Sequence, residues 1–197
     1  MISINQDGRY SAVEIRDIAI SVFVLSIAFA VALNYRSDLG FPTLIAISAV
    51  VVCLSFVAHE LAHKFVAQRY GAWAEYRMFP MGLIIALIIS FSGFIFASPG
   101  AVYIGGSIDD EENGKISAAG PAVNIVLGAV AFILALYTTG IIGTTLWIMA
   151  SINAFFAVFN MIPISPFDGS KILGWNIAVY LAMAACAAAL LITIWFL

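Results

Sequence analysis

Five times along the chain the sequence runs apolar for about the length of a bilayer crossing: Ile18–Leu33, Pro42–Val66, Ile116–Tyr137, Ile141–Ile162 and Ile172–Leu197. A spanning helix needs about 20 such residues, because a rise of about 1.5 Å each must cover about 30 Å of hydrocarbon. In lipid every backbone N–H and C=O must be paired within the chain, and apolar runs this long pair theirs as helices. Composition agrees, since 63% of the residues are hydrophobic and only 10% are charged, against about 25% charged in a soluble domain. The 8 basic and 11 acidic residues are too few to solvate a separate globular part. The expectation is an all-α polytopic membrane protein, a single membrane-embedded domain over 1–197 without a soluble accessory domain. No basic cluster marks a nucleic-acid binder, so the lipid bilayer is the first partner. The polar N-terminus lacks the basic start and small-residue cleavage site of a signal peptide, and none is expected. Cys53 and Cys186 fall in apolar stretches and are read as small buried hydrophobes.

A sixth stretch, Gly82–Ala97, is short, contains Gly93 and is closed by Pro99-Gly100. It either spans or dips in and returns, giving five or six transmembrane helices with a re-entrant or strand-containing segment after the second. Lys and Arg near helix ends decide orientation. If the stretch crosses, Arg9, Arg16, Lys64, Arg69 and Arg77 share one side, and Arg36, Lys115 and Lys171 the other. If it re-enters, Lys115 and Lys171 join the first group and Arg36 stands alone. The charge bias favours re-entry, with a cytoplasmic N-terminus in a multi-pass cell-membrane protein.

Ionisable groups at membrane depth are costly and functional by default. The second span holds four in six residues, His59, Glu60, His63 and Lys64. His59 and His63 are about 400° apart on a helix, one turn along nearly the same face, and Glu60 projects about 100° further round. This His-Glu-x-x-His pattern suits two imidazoles chelating a metal beside a glutamate that polarises its water. They are the only histidines in the chain. Lys64 is read as snorkelling to the cytoplasmic interface.

A catalytic zinc site generally has three protein ligands and an open position. With both histidines used, the third donor should be a carboxylate. Asp168 is the candidate, because it follows the fourth long span in a stretch broken by Pro163 and Pro166; the alternative is a turn aspartate before Gly169. Asp168 returns to the level of the histidines only if Gly82–Ala97 re-enters.

The chain resembles the site-2 protease family of intramembrane zinc metalloproteases over roughly Val50 to Lys171. Three marks carry the resemblance: His59-Glu60-Leu61-Ala62-His63 in a span, Gly120-Pro121-Ala122-Val123-Asn124 opening the next clear span, and Asn160 through Gly169, similar to a segment ending in Leu-Asp-Gly. The resemblance implies a catalytic core over 50–171, one Zn2+ per chain on His59, His63 and Asp168, and an Asn160 that holds substrate or oxyanion. Glu60 would act as general base on a peptide bond in or near a transmembrane segment of a membrane-protein substrate. Asn124 matches a motif, with an interhelical hydrogen bond as the plainer role. Phe167 stands where Leu is usual, and the Gly82–Ala97 insertion precedes Pro99-Gly100-Ala101-Val102-Tyr103-Ile104-Gly105-Gly106, which resembles the family's membrane-associated strand segment. The rival reading is a nonenzymatic membrane metal transporter or sensor using the same ligands.

Overall fold

The computed structural model describes residues 10–35, 37–95 and 98–197. Its elements in chain order are α1 (Ala12–Asn34), α2 (Phe41–Val52), a π-helical turn (Cys53–Val57), α3 (Ala58–Arg69), β1 (Trp73–Met78), α4 (Pro80–Ser90), β2 (Gly100–Gly105), α5 (Asp110–Leu136), α6 (Gly140–Asn160), α7 (Asp168–Trp175) and α8 (Ile177–Phe196). Five helical runs are long and apolar enough to cross a membrane: α1, the continuous run Phe41–Arg69, α5, α6 and α8. The protein is an integral, multi-spanning membrane protein with a short strand segment. Arg9 and Arg36, which enter the charge bias, lie outside the described residues, as does the end of the stretch Gly82–Ala97.

The elements group into two compact units. In the first, α1 packs on α2, α4 and β1. Ser11 caps α1 by accepting from the Glu14 N–H at 3.0 Å. Glu14 and Asp17 are nonetheless buried, and the adjoining sheet explains why. β1 pairs antiparallel with β2, from Trp73 opposite Gly105 to Met78 opposite Gly100. Along its other side the N–H of Tyr76 donates to Glu14 Oε1 at 3.0 Å and that of Met78 to Asp17 Oδ2 at 3.3 Å. The carboxylates supply the acceptors that an uncovered strand edge lacks. Ser21 Oγ donates to the Tyr76 hydroxyl at 2.8 Å, which donates on to the Pro99 carbonyl at 3.0 Å.

The excursion between the strands starts and ends at one place, because Phe79 N–H donates to the Pro99 carbonyl at 2.7 Å. Its helix, α4, has 11 residues and rises only about 16 Å, roughly half the hydrocarbon thickness. The described part of Gly82–Ala97 therefore belongs to an excursion whose two ends, Phe79 and Pro99, meet. β1, its partner in the hairpin, is an element that the sequence reading did not contain.

In the second unit α5 packs on α3, α6, α7 and α8. The acidic run at its start is a capping box: Asp109 accepts from the Glu112 N–H at 2.8 Å, and Glu112 accepts from the Asp109 N–H at 3.2 Å. Phe132, Ala131, Ala150, Ala154 and Ile194 form a buried apolar cluster joining α5, α6 and α8. The expected span Ile172–Leu197 is divided. Asn176, at φ −152° and ψ 109°, ends α7 and caps α8 by accepting from the N–H groups of Ala178 and Val179, so Ile172–Trp175 belongs to α7.

Cys53 and Cys186 are exposed, not buried. Both lie on outward faces of spanning runs, where lipid and not a protein core is the apolar surround.

Candidate metal centre

The helix that carries the motif is irregular just before it. The π turn Cys53–Val57 leads into α3 one residue before His59. A π turn holds more residues than an α turn, so face assignments counted at 100° per residue across it do not apply. Within α3 the α spacing is intact, and the rings of His59 and His63 stand edge to face with centroids 4.6 Å apart. Both histidines are buried.

Asp168, in the first turn of α7, completes the group. His59 Nε2 and His63 Nε2 are 3.0 Å apart and lie 3.5 and 3.1 Å from Asp168 Oδ2. One ligand atom from each residue falls within 4.8 Å of the others, the arrangement of a metal-binding site. Gly169 lets the preceding loop close over this turn, since a Cβ there would lie 2.4 Å from the Met161 carbonyl oxygen. The Tyr180 hydroxyl donates to that same carbonyl at 3.1 Å and ties the loop to α8. The Asp168 side chain is mostly buried beside the two imidazoles. Lys171 Nζ lies 4.0 Å from its other oxygen.

α5 forms the wall against which the imidazoles are held. His63 Nδ1 donates to the Ile116 carbonyl at 2.8 Å, and His59 Nδ1 meets Asn124 Oδ1 at 2.6 Å. A backbone carbonyl only accepts, so His63 carries its proton on Nδ1 and turns a bare Nε2 to the centre. With Asn124 Oδ1 accepting, His59 does the same. Between the two contacts lies Gly120, where a Cβ would stand 2.3 Å from His63 Nε2 and 2.7 Å from His59 Nε2. Two nitrogen lone pairs and a carboxylate oxygen thus point into one small volume. A proton satisfies one pair of these acceptors; a metal cation satisfies all three. Tetrahedral zinc with bonds of about 2.0–2.1 Å sets its ligands about 3.3 Å apart, and the three observed separations bracket that value. The donor set fits zinc.

Glu60 is half-buried on the same turn of α3. Lys64 is buried at 1% exposure and does not reach an exposed interface, as the snorkelling reading had it; it is turned into the protein from the helix that carries the ligands. Asn160 closes α6, and its Nδ2 donates to the Phe156 carbonyl of its own helix at 3.0 Å. The sequence reading missed Ile116, which acts through its backbone, and Asn153, a buried amide on α6. The signal for Asn153 was its place inside an apolar run, where polar side chains are costly.

No protein-family model matches the chain, and no solved structure matches it significantly. Among curated proteins, MJ0611 of Methanocaldococcus jannaschii, named as a zinc metalloprotease, is 45% identical over 178 residues, covering 85% of this chain and 87% of that one. Rip3 of Mycobacterium tuberculosis, also named as a zinc metalloprotease, is 31% identical over 145 residues. Zinc metalloprotease MJ0392 of M. jannaschii is 29% identical over 162 residues. This chain spans 33% and 43% of the length of those last two relatives. With 45% identity along most of both chains, the protein belongs to the same zinc-metalloprotease family as MJ0611.

Proposed function

We propose that the protein is an intramembrane zinc metalloprotease of the site-2 protease type, which hydrolyses a peptide bond in or near a transmembrane segment of a membrane-protein substrate. The observation that carries this reading is the convergence of His59 Nε2, His63 Nε2 and Asp168 Oδ2 on one volume, with both Nδ1 atoms engaged behind them. In this reading those three residues hold a single zinc. Bound there, zinc supplies Lewis-acid polarisation of a carbonyl and lowers the pKa of water toward about 7.

Glu60 takes the proton of the attacking water and returns it to the leaving amine. Asn160 stabilises the developing oxyanion with the amide hydrogen that the Phe156 carbonyl does not use. A substrate helix must unwind to expose its peptide bonds, and its extended segment adds to the outer edge of β2 along Ala101–Ile104. Such pairing supplies backbone hydrogen bonds with little demand on sequence. The edge of β1 opposite β2 is taken by Glu14 and Asp17, so in this reading the added strand pairs with β2. The N-terminus and the active-site side are cytoplasmic, on the charge bias with re-entry.

A metal transporter or sensor would use the same ligands without needing Glu60 as a base. Glu60→Gln decides between them: a protease retains zinc and loses cleavage of a membrane-protein substrate by at least about 10²-fold. Cleavage at the wild-type rate by that variant would overturn the assignment.

A further inference from the structure

His63 and His59 are oriented by different means. The partner of His63 Nδ1 is a backbone carbonyl, which has one polarity. The partner of His59 is a side-chain amide, which can turn end for end and offer a donor instead. If Asn124 presented its NH2, His59 would have to accept at Nδ1 and carry its proton on Nε2, facing His63 and Asp168. One ligand lone pair would be lost.

We propose that Asn153 prevents this reversal and is a positioning residue for the metal centre, acting on His59 through Asn124. Asn153 is fully buried on α6. Its Nδ2 donates to the Met149 carbonyl one turn earlier at 2.8 Å, which leaves Oδ1 facing α5. Asn153 Oδ1 accepts from Asn124 Nδ2 at 2.8 Å, and Asn124 Oδ1 then faces His59 Nδ1 at 2.6 Å. A carbonyl that only accepts stands at the head of the relay, so every later link has one direction. Turning Asn124 over would set two amide oxygens against each other in a buried site, where an unpaired polar group is costly. Gly128 permits the approach of α5 and α6, since a Cβ there would lie 3.2 Å from Asn153 Cβ and 2.9 Å from Leu190 Cδ2.

The proposal rests on the zinc reading of the site, and the two fail differently. The chain has 2 histidines, so full-length protein labelled with 15N-histidine in detergent micelles reports two rings. Zinc affinity is read in parallel by chelator competition. Wild type is expected to carry a proton on Nδ1 of both rings before zinc is added. Asn153→Leu is expected to shift one ring toward Nε2–H, leave the other unchanged, and weaken zinc binding about 10–100-fold, the usual cost of losing an outer-shell partner. Asn153→Asp keeps the acceptor toward Asn124 and, protonated, the donor toward Met149, and recovers most of that loss. Asn124→Leu with Asn153→Leu binds zinc no more weakly than Asn124→Leu alone.

A wild-type His59 in the Nε2–H form would overturn the relay whether or not any variant folds. So would equal loss from Asn153→Leu in the presence and absence of Asn124, which marks a general packing defect. Zinc held equally tightly by wild type and Asn153→Leu rejects the relay and keeps the metal site. Wild type that binds no zinc while its rings keep the Nδ1–H form rejects the metal site itself, and with it the positioning role.

Discussion

Replacing Gly120 with alanine probes the metal centre at its tightest point. A Cβ built there stands 2.3 Å from His63 Nε2, 2.6 Å from His59 Cε1 and 2.7 Å from His59 Nε2. Non-bonded contacts settle near 3.5–4.0 Å, so the methyl overlaps the His63 ring by about 1.2 Å. The rings cannot retreat that far and keep their Nδ1 bonds, because both bonds run to groups on the same helix as Gly120. The methyl also lies not far beyond zinc-bonding distance, about 2.0–2.1 Å, from both Nε2 atoms, so it takes the ion's place. A misplacement of about 1 Å costs a reacting constellation about 10²-fold, and zinc affinity is expected to fall by at least that much. The fold should survive: overpacking costs about 1–3 kcal/mol, while alanine gains about 1 kcal/mol over glycine in a helix. The assay is zinc per chain after chelator competition in detergent-purified protein, with Gly174→Ala beside it. Nothing lies within 4 Å of a Cβ at Gly174, so that variant keeps its zinc. A Gly120→Ala protein that holds one zinc as tightly as wild type would refute the reasoning, because this geometry has no room for methyl and ion together.

Three further outcomes are expected. Asp168→Ala removes one of three ligand atoms and should lose zinc on dialysis against a chelator that wild type withstands; equal zinc in elemental analysis would remove Asp168 from the ligand set. Glu14→Ala leaves the buried N–H of Tyr76 without its acceptor and should cost about 1–3 kcal/mol, read as a lower unfolding midpoint in detergent; an unchanged midpoint would show that the carboxylate does not hold the strand. Val102→Pro withdraws a backbone donor from β2 and should slow cleavage of a membrane substrate while zinc content stays constant. Cleavage at the wild-type rate by that variant would dismiss strand addition.

What was legible in the sequence is what the chain encodes locally. Apolar run length announces the five spanning helices, and the four-residue step from His59 to His63 puts two imidazoles on one face whatever surrounds them. Asp168 could be singled out because a carboxylate beside two prolines is conspicuous in so apolar a chain. Features that depend on distant partners were not legible. Trp73–Met78 has no alternation to mark it as a strand, and its backbone is satisfied by β2 on one side and by Glu14 and Asp17, some 60 residues earlier, on the other. The π turn has no local signature in Cys53–Val57. Asn176 did carry a signal, an N-cap residue inside an apolar run, which hydropathy alone passes over. Asn153 works only through Asn124, and nothing in either residue's neighbourhood in sequence names the other.

The wall of the metal centre shows how one helix meets two demands. Ile116, Gly120, Asn124 and Gly128 recur every four residues along α5, a step of about 400° that drifts only about 40° around the helix each time. In order they supply an acceptor for His63, empty space for the ligand atoms, an acceptor for His59 and close approach to Asn153. Pro121 beside them withdraws one helical N–H from the same turn. Of these four positions only Ile116 buries an apolar side chain. The apolar packing of α5 is accordingly shifted toward its C-terminal half, where Ala131 and Phe132 meet Ala150, Ala154 and Ile194. Val126, Val130 and Ile133, between and beyond these positions, face outward at 50–59% exposure, and their only requirement is to be apolar toward lipid. The apolar cluster that joins α5 to α6 and α8 thus begins about three turns along α5 from Gly120. For that reason a substitution such as Gly120→Ala can empty the metal centre and leave the membrane fold standing.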